Sequence, residues 1–223
     1  LTGVVFCKKL NADMQKALVW DVEKGVLDKT LDTPWQTCTC LGNWHYDRGV
    51  YNEDRYKSAK TVVGMLIDIV SKNGNLLLSV PVRGYGTIDE KEEKILSEIK
   101  GWLDVNGEGI FGTRPWENTY GEGPSTLESK PLDGPGFNEN RSTPYTAEDI
   151  RFTTKDGCLY AHVMEWPENN QILIRSLKGF DVRNVKLLGG KSLHYSKTSE
   201  GLLVRLPHSK RPNEISPTLK VTL

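Results

Sequence analysis

The apolar residues of this chain change their spacing once, and that change limits the folds open to it. Over the first hundred or so residues, short valine-rich runs alternate with segments of helical spacing. Gly3–Phe6 and Ala17–Val22 are such runs, and they fit buried parallel strands. Ala59, Val62, Val63, Leu66 and Val70 recur as one helical face, and the sequence predicts a helix starting at Glu53 with Asn52 as its cap. Asn73 and Gly74 predict its stop near Lys72, because both tolerate a left-handed C-cap. A continuous apolar strand, Asn75–Val80, follows. Asp89 with Glu92 reads as a capping pair for a helix near residues 90–105, whose apolar face is Ile95, Leu96, Ile99, Trp102 and Leu103. Strands alternating with helices across short loops predict a parallel sheet.

Beyond residue 145 the spacing is that of strands alone. Asp149–Thr154, Cys158–Glu165, Gln171–Leu177, Val185–Gly189, Gly201–Pro207 and Thr218–Leu223 are short strand-like runs. Turn pairs such as Asp156-Gly157, Asn169-Asn170 and Gly189-Gly190 separate them. They predict a small antiparallel β-sandwich. Between the two patterns, residues 116–144 are rich in Gly, Pro, Ser, Asn and Thr and read as an irregular connection. The expected organisation is therefore residues 1–115, the connection 116–144, and a β domain at 145–223.

Composition narrows the function. The 29 basic and 29 acidic residues of this 223-residue chain cancel, so no basic stripe points to nucleic acid and no acidic tail to a solvating segment. The longest apolar run, Val62–Val70, is interrupted by Gly64 and Asp68 and is too short to span a membrane. Cys7, Cys38, Cys40 and Cys158 match no zinc spacing and are expected as free thiols. Ser71–Asn75 lacks the Lys-Ser/Thr pair of a phosphate loop and leads into a strand rather than a helix. Asn140-Arg141-Ser142 is a formal glycosylation triplet, a pattern that also arises by chance.

Four segments in order carry a resemblance: DVEKG at Asp21–Gly25, PWQTCTCLGNWHY at Pro34–Tyr46, VSKNGNLLLSVPVRGYGTID at Val70–Asp89, and WLDVNGEGIFGTRPW at Trp102–Trp116. Together they resemble the α-L-fucosidases of glycoside hydrolase family 29. The stretch from Tyr145 to Ala161 resembles the start of that family's C-terminal sandwich. The resemblance implies a (β/α)8 barrel followed by a β-sandwich. Strands near residues 3–6, 17–22, 36–40 and 75–80 count as about four of the eight that a barrel needs. The expectation is the C-terminal half of a TIM-type barrel plus its sandwich.

Retaining glycosidases use two carboxyl groups roughly 5–5.5 Å apart. The resemblance implies an aspartate nucleophile on the fourth barrel strand, expected upstream of Leu1, so this chain alone is expected to be inactive. Glu23, after the strand ending at Val22, is the expected general acid/base; the alternative is a surface glutamate beside Lys24. Gln36 stands where some relatives carry glutamate. It cannot donate a proton usefully, and is expected to bond substrate, to orient a carboxylate, or to serve as a buried amide. Trp35, Trp44, His45 and Tyr46 are implied as an aromatic wall for the sugar, against the alternative of packing at the rim. Glu108 is expected to be structural. No metal or organic cofactor is implied. The expected partners are a fucosylated glycan or small fucoside, with a complementary barrel fragment or an oligomer partner over the open sheet. Family members suggest a periplasmic, secreted or lysosomal setting. The rival reading is a non-catalytic carbohydrate-binding or structural module.

Overall fold

A computed structural model of the chain describes residues 6–7, 13–127, 139, 144–207 and 211–223. The start of the run at Gly3 and the triplet at Asn140 lie outside the described residues. The chain divides into two compact units. The first comprises Leu1–Lys100 and Lys130–Arg141, the second Gly101–Ser129 and Ser142–Leu223.

The first unit holds a four-stranded parallel sheet. Its strands are β1 (Phe6–Cys7), β2 (Val19–Glu23), β3 (Trp35–Cys40) and β4 (Gly74–Ser79), adjacent in that order. Between β3 and β4 run α1 (Arg48–Asn52) and α2 (Ala59–Ser71); α3 (Glu90–Asn106) follows β4. The helix expected from Glu53 starts later. Asn52 is instead the last residue of α1, which Asp47 caps by accepting from the Gly49 amide. Asp54 turns the chain at φ +56°, and Ser58 caps α2 by accepting from the Thr61 amide at 3.1 Å. A hydroxyl one residue before the apolar stripe competes better than an asparagine seven residues before it. The predicted stop holds: Lys72 is the C-cap and Asn73 sits at φ +71°.

Strand parity sorts the sheet into two faces. In register across β2, β3 and β4, Val22, Trp35, Thr37, Gly74 and Leu76 share one face. There Val22, Leu27 and Trp35 bury themselves against Ile69 of α2. A Cβ at Gly74 would lie 2.6 Å from the Trp35 ring and 2.7 Å from Ile69, so the indole fits only over glycine. Trp35 Nε1 donates to the Lys72 carbonyl at 2.9 Å. The Lys72 ammonium, itself buried, meets Asp68 and the Leu27 carbonyl at 2.7 Å each. The opposite face carries Asp21, Glu23, Gln36, Cys38, Asn75 and Leu77; Leu77 is 54% exposed.

In the second unit the expected strands form, and three more appear. The elements are β5 (Arg114–Pro115), β6 (Gly121–Glu122), the single turn α4 (Pro124–Leu127), β7 (Ile150–Lys155), β8 (Cys158–Val163), β9 (Gln171–Ile174), β10 (Asn184–Leu187), β11 (His194–Lys197), β12 (Leu202–Arg205) and β13 (Thr218–Thr222). One antiparallel sheet runs β10-β13-β8-β7-β5, with β6 also paired to β7; the other runs β11-β12-β9. Alternate residues of both sheets, among them Phe152, Ala161, Ile174, Val204 and Leu219, meet in one apolar core. The stretch from residue 116 is more than a connection. Trp116 enters this core, its ring 5.1 Å from that of Phe152, and β6 bonds to β7. Cys38, Cys40 and Cys158 are free thiols, as their spacing predicts.

The other face of the larger sheet is buried too, but polar. His162 is fully buried there. Its Nε2 lies 3.1 Å from both the Gly109 carbonyl and Thr153 Oγ1, and its Nδ1 3.0 Å from Thr218 Oγ1. A carbonyl only accepts, so Nε2 carries the proton and Nδ1 accepts from Thr218. The neutral ring is fully satisfied, and burial pushes its pKa down to about 4. Tyr160 donates to Glu108 at 2.7 Å and Lys220 pairs with the same carboxylate, a structural role for Glu108.

Candidate active site

The C-terminal ends of β2, β3 and β4 open into loops that carry most of the chemistry-bearing side chains of the first unit. Glu23 is the last residue of β2, in register with Cys38, on the polar face of the sheet. The next residue breaks the strand: Lys24 sits at φ +46°, left-handed and costly for a residue with a Cβ. Its amide donates to the Cys38 carbonyl at 2.8 Å, and its ammonium lies 5.1 Å from the ring centroid of Trp44. That cation–π contact brings the loop after β3 to the end of β2. His45, beside it, is exposed, and Tyr46 is half-buried.

On the same face but lower, Gln36 donates to Asp21 at 3.1 Å and the Cys38 thiol donates to the other Asp21 oxygen at 3.6 Å. Gln36 is the second residue of β3, so it stands nearer the strand's start than its rim. Trp35 is placed elsewhere altogether. It begins β3, points to the helix side and has no exposed surface to offer a ligand. The structure therefore brings Glu23, Trp44, His45 and Tyr46 to one end of the sheet, with Gln36 below them and Trp35 behind.

Arg83, on the loop after β4, joins the group unforeseen. Its guanidinium lies 5.8 Å from the Tyr46 ring centroid and 5.7 Å from that of Tyr51, and it pairs with Glu90 at 2.6 Å. The Tyr51 hydroxyl also donates to Glu90. With the residue's own backbone amide and Arg83, it holds that exposed carboxyl down to about 2. Below, Tyr56 donates to Asp89 at 2.6 Å, while Asp89 caps α3 by accepting from the amides of Lys91 and Glu92. The reciprocal half of the capping box is not made. Glu92 is fully buried, and neither carboxyl oxygen has a hydrogen-bond partner. Burial, and then the charge of Asp89, push its pKa up to about 7.

Glu139 belongs to the first unit as well. Its carboxylate accepts from Thr39 Oγ1 at 2.6 Å and pairs with Lys57 at 3.2 Å, and its amide donates to the Lys24 carbonyl at 3.0 Å. No group of three or more His, Cys, Asp or Glu is arranged to hold a metal ion among the described residues, and no described helix is long and apolar enough to cross a membrane.

Two family models match the chain. That for α-L-fucosidase covers residues 4–108, and that for the α-L-fucosidase C-terminal domain covers residues 143–222. The tissue α-L-fucosidase of Rattus norvegicus is 26% identical over 198 residues, which are 86% of this chain and 38% of that protein. Among solved structures, α-L-fucosidase isoenzyme 1 of Paenibacillus thiaminolyticus superposes with a TM-score of 0.69 at 24% identity, over 92% of this chain and 45% of that one. The α-fucosidase of Thermotoga maritima in complex with fucose gives 0.67 at 21% identity, over 94% of this chain and 46% of that one. This chain thus spans less than half the length of the relatives it matches, and it belongs to the α-L-fucosidase family as a C-terminal part.

Proposed function

We propose that these residues are the C-terminal part of an enzyme that hydrolyses terminal α-L-fucosides with retention, and that Glu23 is its general acid/base. The four-stranded parallel sheet is then one portion of a (β/α)8 barrel, whose active sites form at the C-terminal ends of the strands. The observation that carries the reading is the position of Glu23: on the polar face, at the C-terminal end of a parallel strand, one residue before the Lys24 whose ammonium lies over Trp44. Gln36, low on its strand and unable to release a proton, leaves that role to Glu23.

In this reading a carboxylate outside these residues attacks the anomeric carbon while Glu23 protonates the departing oxygen. Glu23, now a carboxylate, then takes a proton from the water that releases fucose. Trp44, His45 and Tyr46 offer rings and an imidazole to the sugar, and Gln36 orients Asp21 beneath them. A groove of about 550 Å³ on the second unit, lined by Glu122, Glu148, Glu168, Gln171 and Arg175 among others, has no aromatic ring against which a sugar could stack. It lends no support to a separate carbohydrate-binding role.

The test is Glu23→Gln in the full-length enzyme. Turnover of natural fucosides should fall roughly 10²–10⁴-fold. Aryl fucosides with good leaving groups should lose less in the first step, and azide should recover part of a second step that lacks its base. Unchanged kinetics on every substrate would remove Glu23 from the mechanism. The 223-residue chain by itself should not turn over an activated aryl fucoside.

A further inference from the structure

We infer that Glu139 is a positioning residue for Glu23, acting through the backbone of Lys24; the inference rests on the catalytic reading of Glu23 above. Glu139 stands a hundred residues from the strand ends it touches, in a stretch whose composition reads as a connection. Its side chain is nevertheless only 6% exposed and uses both oxygens. One accepts from Thr39, the penultimate residue of β3; the other meets the Lys57 ammonium, which also donates to the Cys40 carbonyl at 2.8 Å. The Lys57 amide donates to the Leu41 carbonyl at 2.8 Å. One carboxylate thus fixes the last residues of β3 and the segment that leads into α2.

The same residue reaches β2 with its backbone. Lys24 must hold a left-handed conformation that a side chain disfavours, and two hydrogen bonds bracket it. Its amide donates to Cys38 and its carbonyl accepts from Glu139. That kink directs the carboxyl of Glu23 on one side and sets the Lys24 ammonium over Trp44 on the other. Thr39 lies on the helix side of the sheet and Glu23 on the polar side, so Glu139 supports the site from behind and touches no substrate. A misplacement of about 1 Å in a reacting group can cost on the order of 10²-fold in rate, which makes the support consequential.

The experiment compares Glu139→Ala, Glu139→Gln and the double variant Glu139→Met with Lys57→Met in the full-length enzyme. Kinetics are followed against pH and amide hydrogen exchange over residues 22–26 and 37–41. Glu139→Ala should lower kcat by roughly 10–10²-fold with KM little changed, move the limb of the pH profile that reports Glu23, and speed exchange at both strand ends. Glu139→Gln, which keeps the acceptor for Thr39, should recover most of the loss. The double variant leaves no unpaired buried charge, yet should remain slow. Wild-type kcat in the double variant would overturn the inference, since the loss would then belong to the stranded lysine alone. So would a wild-type pH profile with unchanged exchange in Glu139→Ala. If the unmodified enzyme hydrolyses no fucoside, the proposed function falls; exchange then decides for Glu139 by itself, faster exchange supporting the anchor and unchanged exchange refuting it.

Discussion

The two units use their buried surface differently. In the second, residues from both sheets close on one apolar core, and even the polar layer behind β7, β8 and β13 is satisfied atom by atom around His162. In the first, one face of the parallel sheet packs on α2 through Val22, Trp35 and Ile69. The other face is a row of Asp21, Glu23, Gln36, Cys38 and Asn75, with Leu77 left 54% exposed. Position parity therefore decides whether a residue of the parallel sheet packs into the apolar cluster or lies on the polar face. In the sandwich, both faces serve stability.

The largest effect that would break this comparison is a core truncation. Phe152→Ala should destabilise the second unit by about 3–5 kcal/mol, and Trp35→Ala should cost the first unit a similar amount. Trp35→Ala also removes the shorter of two hydrogen bonds to the Lys72 carbonyl, leaving that from the Leu31 amide at 3.4 Å. Denaturation of the 223-residue chain, with exchange or proteolysis to assign each loss to a unit, measures both. Equal loss from Gln36→Ala, one residue along on the polar face, would contradict the parity rule.

Next come two titrations of opposite sign. His162 has a folded pKa near 4, below its unfolded value of 6.5, so the unfolded chain binds more protons between those values. Stability of the second unit should be full above pH 6.5 and decline as pH falls to 4. The whole decline should approach about 3 kcal/mol, because each pH unit between the two values contributes about 1.4 kcal/mol. Glu92 is the reverse: its folded pKa, raised to about 7 from 4.5, makes the native state the better proton binder. Stability of the first unit should be full below pH 4.5 and decline as pH rises through 7. Glu92→Gln should flatten that decline, and His162→Gln should flatten the other. Denaturation midpoints at pH 4, 6 and 8 read both.

The smallest expected effect sharpens the comparison. Leu77→Ser removes an apolar side chain from the exposed part of the polar face, and should change the stability of this chain by no more than about 0.5 kcal/mol. A loss above about 2 kcal/mol, well outside the range of surface substitutions, would mean that Leu77 packs in solution on something this chain supplies.

Much of this was legible from residue spacing. The strand–helix alternation, the stop at Asn73, the Asp89 cap and the β pattern after residue 149 follow from local chemistry, and local chemistry survives into the fold. Trp35 and Gln36 illustrate a signal present but unused: adjacent residues of a strand face opposite ways, so both could not line one site. β11 was not legible, because three of its four residues, His194, Ser196 and Lys197, are exposed and carry no alternation. Glu139 was not legible either. One glutamate in a Gly/Pro-rich stretch has no period, and its partners are set by tertiary contacts about a hundred residues away.

The interleaving of the chain has a consequence for how the sandwich travels between genes. Gly101–Ser129 contributes Trp116, β5, β6 and the Gly109 carbonyl to the second unit, while Lys130–Arg141 returns to the first and carries Glu139. A recombination breakpoint before Ser142 would deliver a sandwich without two edge strands, without its central tryptophan and with His162 short of an acceptor. A cut at that point therefore divides the second unit instead of separating it from the first, so the two units cannot be parted by a single break in the chain.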